Sequence, residues 1–132
     1  MTRQFIVTAV ASLLLAGTAR ADIVIICHPS AGALSPEQVA EVYQGKSNLA
    51  LPIDLPEASG LRNDFYKKVT GKEPGQIKAL WARLAFSGKA LPPREMGDAS
   101  AVKKAVAADP KAIGYIDKSA LDASVKVLLP LN

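Results

Sequence analysis

The sequence predicts one α/β domain of the three-layer type, in which helices cover both faces of a sheet. The run Ile23–Ile26 is continuous and β-branched, which is typical of a strand that is buried on both faces. Helical patterns lie between candidate strands at the start, middle and end of the chain. The chain has 132 residues, which is too few for more than one ordinary domain.

The N-terminus has the features of a secretory signal peptide. Arg3 supplies positive charge, residues 5–17 are largely apolar, and residues 19–21 fit the small-x-small cleavage pattern. We therefore expect residues 1–21 to be removed on export to the periplasm, which leaves a folded domain of residues 22–132. A retained membrane anchor is the less favoured alternative because the apolar run is short.

Charge and cysteine content argue against a nucleic-acid-binding protein and against a domain stabilised by disulfides. The net charge of the full chain is +4, and it falls to +2 without residues 1–21, which contain two arginines and no acids. The remaining lysines are scattered, so we expect no nucleic-acid partner. Cys27 is the only cysteine, so no intramolecular disulfide can form. Folding must therefore depend on a hydrophobic core.

Caps and apolar spacing predict the individual elements. The clearest helix runs from about Pro74 to Ser87, where apolar residues recur at the i, i+3, i+4, i+7 spacing. The other helices are expected between Ser35 and Gly45, between Ser59 and Gly71, and around Val102 and Val106 before Asp109. The strands are expected at Ile23–Ile26, Leu51–Leu55, Ala112–Ile116 and Val125–Leu129, with a loop over Ala90–Gly97 and a turn at Lys118–Asp122.

The Ser59-Gly60 turn is the first candidate for a binding site. A helix start leaves backbone N–H groups unbonded and carries partial positive charge, which suits an anion. Arg62, one turn into the helix, can add further donors. The alternative is an ordinary N-cap with Arg62 in solvent, and Glu57 beside the turn would repel an anion. Spacing alone favours the cap.

Other polar residues give weaker signals. His28 is the only histidine, and the sequence places no nucleophile or second metal ligand near it, so we assign no catalytic residue, no metal site and no cofactor. The acids Asp54, Glu57 and Asp64 are expected in a solvated loop rather than as a catalytic carboxylate pair.

Two aromatic residues receive different predictions. Trp81 lies on the apolar stripe of its helix and is expected in the core. Tyr115, together with Lys118, flanks the end of a predicted strand. Ligands of α/β sheets favour strand ends, so these two residues are secondary site candidates.

Several segments, read in order, resemble the phosphate ABC transporter substrate-binding proteins. They are Leu34–Lys46, Leu51–Phe65, Trp81 with Phe86–Lys89, and Val102–Tyr115, which leads into the Ile113-Gly114-Tyr115 strand. The resemblance implies a fold like one lobe of a type II periplasmic binding protein, and phosphate or a related oxyanion as ligand. Ser59 and Gly60 match the anion-binding turn of that family. Two positions depart from the family pattern. Leu61 stands where the family has a threonine, and Leu55 stands near the position of an upstream arginine.

The function expected from these observations is a non-enzymatic, exported substrate-binding-like protein for ABC-type transport or sensing. Ser59, Gly60, Arg62 and Tyr115 are the expected ligand-binding residues, with an ABC transporter permease as a partner. One alternative is an interaction module that docks another envelope protein without binding a small ligand. Another is a lobe that is completed by homodimerisation. A hydrolase that uses His28 is the weakest reading.

Overall fold

A computed structural model describes residues 22–131 of the chain. The predicted signal peptide lies outside the described residues. Within residues 22–131, no helix is both long and apolar enough to cross a membrane.

Four helices and five strands form the described part of the chain. They are β1 (Ile23–Cys27), α1 (Pro36–Tyr43), β2 (Leu51–Asp54), α2 (Gly60–Thr70), α3 (Pro74–Phe86), β3 (Arg94–Glu95), α4 (Ala99–Ala108), β4 (Ala112–Asp117) and β5 (Lys126–Leu131), with a 3-10 turn at Lys118–Ala120. All four predicted helices and all four predicted strands are confirmed. The two-residue strand β3 was not predicted, because it lies in a segment whose prolines indicate a loop.

The five strands form one mixed sheet in the order β3-β2-β4-β1-β5. Strand β1 is antiparallel to both β4 and β5, whereas β2 is parallel to both β4 and β3. All five residues of β1 are buried. The continuous apolar run in the sequence therefore did indicate a strand that is covered on both faces.

Two neighbouring residues of β4 show that the domain has three layers. Successive side chains of a strand point to opposite faces of the sheet. A Cβ atom added at Gly114 would lie 2.7 Å from Val102 of α4. The ring of Tyr115 instead stacks on Phe65 of α2, with 3.7 Å between centroids, and contacts Tyr43 of α1 edge-on. Helix α4 therefore covers one face, and α1 and α2 cover the other, as predicted.

Helix α3 packs against the α1 side through Trp81. This residue is buried, as predicted, and its indole N–H donates to the carbonyl of Tyr43 at 3.2 Å. Gly45, with φ +72°, lets the chain turn under the same indole ring, since a Cβ there would meet the Trp81 ring at 3.2 Å.

The parallel strands β2 and β4 separate towards their carboxyl ends. Their pairing stops at Pro52 and Ile113. Beyond it, the hydroxyl of Tyr43 lies between the strands, 2.8 Å from the carbonyl oxygen of Ile53 and 3.3 Å from that of Ile113. The separation leaves room for the side chain of Asp54 at the end of β2, which is the sheet edge where ligands of α/β proteins commonly bind.

Candidate functional site

The start of α2 leaves two backbone amides without a partner. Ser59 is the N-cap, and its hydroxyl accepts a hydrogen bond from the amide of Arg62 at 3.4 Å. The amide of Asn63 donates to the carbonyl of Ser59. Within residues 22–131, the amides of Gly60 and Leu61 have no acceptor. The predicted cap is confirmed, and the two remaining amides are free for water or an anion.

A buried carboxylate, Asp54, lies directly behind this turn. Only 1% of it is exposed. It accepts hydrogen bonds from the hydroxyl of Tyr66 at 2.5 Å, from the hydroxyl of Tyr115 and from the amide of Leu55 at 2.9 Å. Nη1 of Arg62 lies 3.8 Å from Oδ2 of Asp54. We call Asp54, Tyr66, Tyr115 and Arg62 the Asp54 cluster.

The position of Asp54 corrects one prediction. The sequence indicated that Asp54, Glu57 and Asp64 are solvated loop residues rather than a catalytic pair, although Asp54 also fell in the predicted strand Leu51–Leu55. Solvation was wrong for Asp54, and Asp64 lies in α2 rather than in a loop. Strand β2 extends as far as Asp54, and its side chain points to the face covered by α1 and α2. Glu57 and Asp64 are exposed, as predicted.

Arg62 is held by three oxygen atoms. Its Nη1 atom donates to the carbonyl of Leu55 at 2.8 Å and to Oε1 of Glu95 at 2.9 Å, and lies 3.8 Å from Asp54. The guanidinium also lies over the ring of Tyr66, 5.6 Å from its centroid. Its Nε and Nη2 groups have no partner in the part of the chain that the structure describes, so three N–H donors remain.

The two other predicted site residues lie differently. Tyr115 is fully buried, and its hydroxyl contacts Asp54, so it lies behind the carboxylate rather than beside the free amides. Lys118 begins the 3-10 turn, where its amide donates to the carbonyl of Asp22. The structure does not bring Lys118 to the Asp54 cluster.

A cleft between α2, α3 and the segment leading to β3 adjoins the cluster. It consists of two adjoining cavities of about 190 and 280 Å³, and Glu57, Arg62 and Lys78 line both of them. We call this the α2–α3 cleft. The ammonium of Lys78 lies 3.8 Å from the carboxylate of Glu57, and both side chains are exposed. Lys78 was not predicted as a site residue, because nothing in the helical spacing distinguishes it from other exposed lysines.

The charges of the cluster are coupled. Burial raises the pKa of Asp54, and hydrogen bonds from Tyr115 and Tyr66 and the charge of Arg62 reduce the rise without cancelling it. Burial and the nearby Asp54 carboxylate raise the pKa of both tyrosines well above the usual value, so both hydroxyls remain donors. Burial lowers the pKa of Arg62, but the charge of Asp54 and the hydrogen bond to Glu95 outweigh that effect and raise it.

The raised pKa of Asp54 predicts a dependence of stability on pH. Between the ordinary aspartate pKa of about 4 and the raised folded value, the folded state holds more protons than the unfolded state. The free energy of unfolding therefore falls as pH rises through this window. We expect the wild type to lose stability relative to Asp54→Asn from about pH 4 upward, as measured by urea unfolding. Asp64→Asn, at an exposed position of α2, is the control. If the free energy of unfolding of the wild type instead increased relative to that of Asp54→Asn as pH rises, the prediction would be contradicted.

The structure also places a hydroxyl beside His28. The Oγ atom of Ser30 lies 2.7 Å from Nδ1 of His28, and the amide of Ser30 donates to the same nitrogen. The prediction that no nucleophile lies near His28 is therefore wrong. Because the described hydrogen bonds include none from another side chain to the imidazole, they show no group that would orient it for catalysis.

Comparison with known proteins identifies the fold. No protein-family model and no curated protein matches the sequence. The structure is similar to an ABC-type phosphate transport receptor from Vibrio cholerae, with a TM-score of 0.62 and 18% identity over 81% of this chain and 45% of the receptor. It is also similar to a protein from Clostridium perfringens, described as a phosphate ABC transporter substrate-binding protein and solved with bound phosphate. There the TM-score is 0.63 and the identity is 21% over 81% and 44% of the two chains. For PstS from Borrelia burgdorferi the TM-score is 0.56 and the sequence identity is 14%, over 81% of this chain and 46% of the PstS chain.

These similarities confirm the predicted resemblance at the level of the fold. The chain spans less than half the length of each of the three structures. Sequence identities of 14 to 21% carry the architecture and no more. The protein therefore has the fold of slightly less than half of a phosphate ABC transporter substrate-binding protein.

Proposed function

We propose that the protein binds phosphate or a related oxyanion at the start of α2, as an exported, non-enzymatic substrate-binding protein for ABC-type transport or sensing. The observation that carries this proposal is the pair of unbonded amides of Gly60 and Leu61 at the start of α2, with free guanidinium donors on Arg62 in the first turn of the same helix. The fold supports it, because one similar structure contains bound phosphate. In this proposal residues 1–21 direct export to the periplasm, and an ABC transporter permease is the expected partner.

Each residue of the turn has a separate role in the proposed site. The hydroxyl of Ser59 and the amides of Gly60 and Leu61 donate to the oxyanion, and the helix start adds partial positive charge. The space beside Gly60 is open, so an anion can approach the backbone closely. Arg62 supplies its free Nε and Nη2 groups and, when Glu95 moves away, one N–H of Nη1. Tyr115 acts as a positioning residue, because it holds the Asp54 carboxylate that in turn faces Arg62.

Affinity is expected to be low. Asp54 and Glu95 already neutralise Arg62, and the turn is open to water, where Coulomb attraction is weak. We expect a dissociation constant of about 1 mM, which corresponds to roughly 4 kcal/mol of binding free energy.

Titration of inorganic phosphate by calorimetry tests the proposal. Ser59→Ala removes one donor and should weaken binding by about tenfold, since a hydrogen bond to a charged group contributes about 1.5 kcal/mol. Asp98→Ala removes the side-chain cap of α4 in the same way, away from the turn, and should leave binding unchanged. No heat from the wild type in tens of millimolar phosphate, roughly ten times the expected dissociation constant, would refute the proposal. Equal losses in both variants would also refute it.

A second candidate function is an interaction module that docks an envelope protein, with a second copy of the chain as a further candidate partner. The observation in its favour is that 97% of Phe86 and 87% of Leu91 are exposed, at the end of α3 and in the loop after it. Exposed large apolar side chains can mark a protein interface. A photocrosslinker at position 86 should capture a partner in cells, and one at the exposed Lys104 of α4 should not. Equal capture at both positions would contradict this candidate.

A further inference from the structure

We propose that Glu95 competes with the anion for Arg62 and thereby sets the affinity of the site. This inference rests on the proposed function. The carboxylate of Glu95 lies 2.9 Å from Nη1 of Arg62. It is 52% exposed, whereas Arg62 is only 13% exposed. A half-exposed carboxylate is thus paired with a largely buried guanidinium.

The two carboxylates that face Arg62 differ in how they are held. Asp54 is buried, and two tyrosine hydroxyls and a backbone amide fix it, so it is a permanent partner of Arg62. Only Arg62 contacts the carboxylate of Glu95 within the described residues. The carboxylate of Glu95 is half exposed, so it remains partly hydrated and can leave Arg62 for water at low cost. An incoming oxyanion can therefore replace Glu95 and leave Asp54 in place.

The backbone around Glu95 keeps it close to Arg62. Strand β3 has only two residues, paired as Ile53 with Arg94 and Asp54 with Glu95. The amide of Met96 donates to the carbonyl of Asp54 at 2.8 Å. These bonds place the Cα atom of Glu95 beside the Asp54 cluster whatever the rotamer of its side chain. Rotation of that side chain alone would free the N–H of Nη1 that Glu95 accepts from.

The other cation of the α2–α3 cleft shows the same arrangement. Lys78 faces the exposed Glu57 at 3.8 Å. With Asp54 and Glu95 counted, the groups of this cleft carry three negative and two positive charges, so the empty cleft is net negative. An oxyanion that displaces Glu95 removes one carboxylate from Arg62 and leaves two carboxylates and two cations around the cleft.

Substitution of Glu95 tests the inference by phosphate calorimetry on the full chain. Glu95→Gln keeps the size of the side chain and removes its charge. We expect it to bind phosphate about fivefold to tenfold more tightly than the wild type, since a close, partly buried charge pair is broken on binding in the wild type only. Glu57→Gln should give a smaller gain, because Lys78 is exposed. Glu41→Gln, on the exposed side of α1, makes the same change in net charge and should alter affinity by less than about twofold.

The outcomes separate the inference from the proposed function. Wild-type binding that Glu95→Gln does not strengthen overturns the role of Glu95 and leaves the proposed function standing. Equal gains in Glu95→Gln and Glu41→Gln also overturn it, because they would reflect net charge alone. Absence of binding in both the wild type and Glu95→Gln overturns both proposals. Thermal unfolding verifies that each variant is folded, and Glu95→Ala replaces Glu95→Gln if the latter is not.

Discussion

Replacing Asp54 with alanine is expected to lower the free energy of unfolding by about 3–5 kcal/mol. The carboxylate accepts three hydrogen bonds in an environment from which water is excluded. Without it, the hydroxyls of Tyr66 and Tyr115 lose their acceptor, and Arg62 loses its buried counter-charge. Buried donors without partners and uncompensated charges are among the most destabilising defects known in protein interiors. Urea unfolding monitored by circular dichroism measures the effect.

A double-mutant cycle shows whether the lost hydrogen bonds are the cause. Tyr66→Phe should destabilise the wild type, because Asp54 then loses a donor. In the Asp54→Ala background the same change should be nearly neutral or stabilising, since it removes a hydroxyl that has no acceptor. Asp54→Asn keeps one carbonyl acceptor, so its free energy of unfolding should lie between those of the wild type and Asp54→Ala. Additive effects of Asp54→Ala and Tyr66→Phe would contradict this account of the cluster.

The second large effect is expected at Gly114 in strand β4. Gly114→Ala should lower the free energy of unfolding by about 1–3 kcal/mol. The new Cβ atom would lie 2.7 Å from Cγ1 of Val102 and 3.2 Å from Cγ2 of Val106. Valine has a single preferred rotamer in a helix, so α4 as a whole must move away from the sheet. Denaturant unfolding measures the loss.

Two variants control for this steric explanation. Gly32→Ala introduces the same atom at a position where nothing lies within 4 Å and should change stability by less than about 0.5 kcal/mol. Val102→Ala removes the nearest methyl group and should restore part of the stability when it is combined with Gly114→Ala. A loss in Gly114→Ala that is the same with or without Val102→Ala would show that crowding is not its source.

The elements that are defined by local sequence could be predicted. The capping box of Ser35 and Gln38, the N-cap Ser59 and the apolar stripe around Trp81 depend on contacts within one helical turn. Their signals are therefore visible in short windows of the chain. Strand β1 was equally clear, because a strand with neighbours on both sides and helices on both faces is apolar throughout.

The environment of the site could not be predicted, because it depends on contacts between distant residues. Tyr115 lies 61 residues from Asp54, and Glu95 lies 33 residues from Arg62. Strand β3, which brings Glu95 to the site, has two residues and no hydrophobic pattern. Asp54 was assigned to a loop because acidic residues are usually solvated, a preference that two tyrosine hydroxyls override here. The pairing of Arg62 with two carboxylates, which determines how strongly it can attract an anion, followed from none of these local signals.

The Asp54 cluster connects the stability of the domain to the proposed binding site. Asp54 and the carbonyl of Leu55 hold Arg62 at the end of β2, and the tyrosines hold Asp54. A guanidinium fixed in this way loses little conformational freedom when it binds a ligand. The same fixed carboxylate lowers the net attraction for an anion. Rigidity and weak attraction at this position therefore have one structural cause.

Solution NMR of the 15N-labelled protein during titration with inorganic phosphate tests the central claim most directly. The claim predicts saturable shifts of the amides of Gly60 and Leu61 and of the Nε–H of Arg62, all with one dissociation constant of about 1 mM. The amides of Ala99 and Ser100, at the start of α4, serve as an internal control, because they also begin a helix but have no neighbouring guanidinium among their described contacts. Shifts confined to α2 would support an oxyanion site at this turn. Unchanged signals at Gly60 and Leu61, or equal shifts at both helix starts, would contradict it.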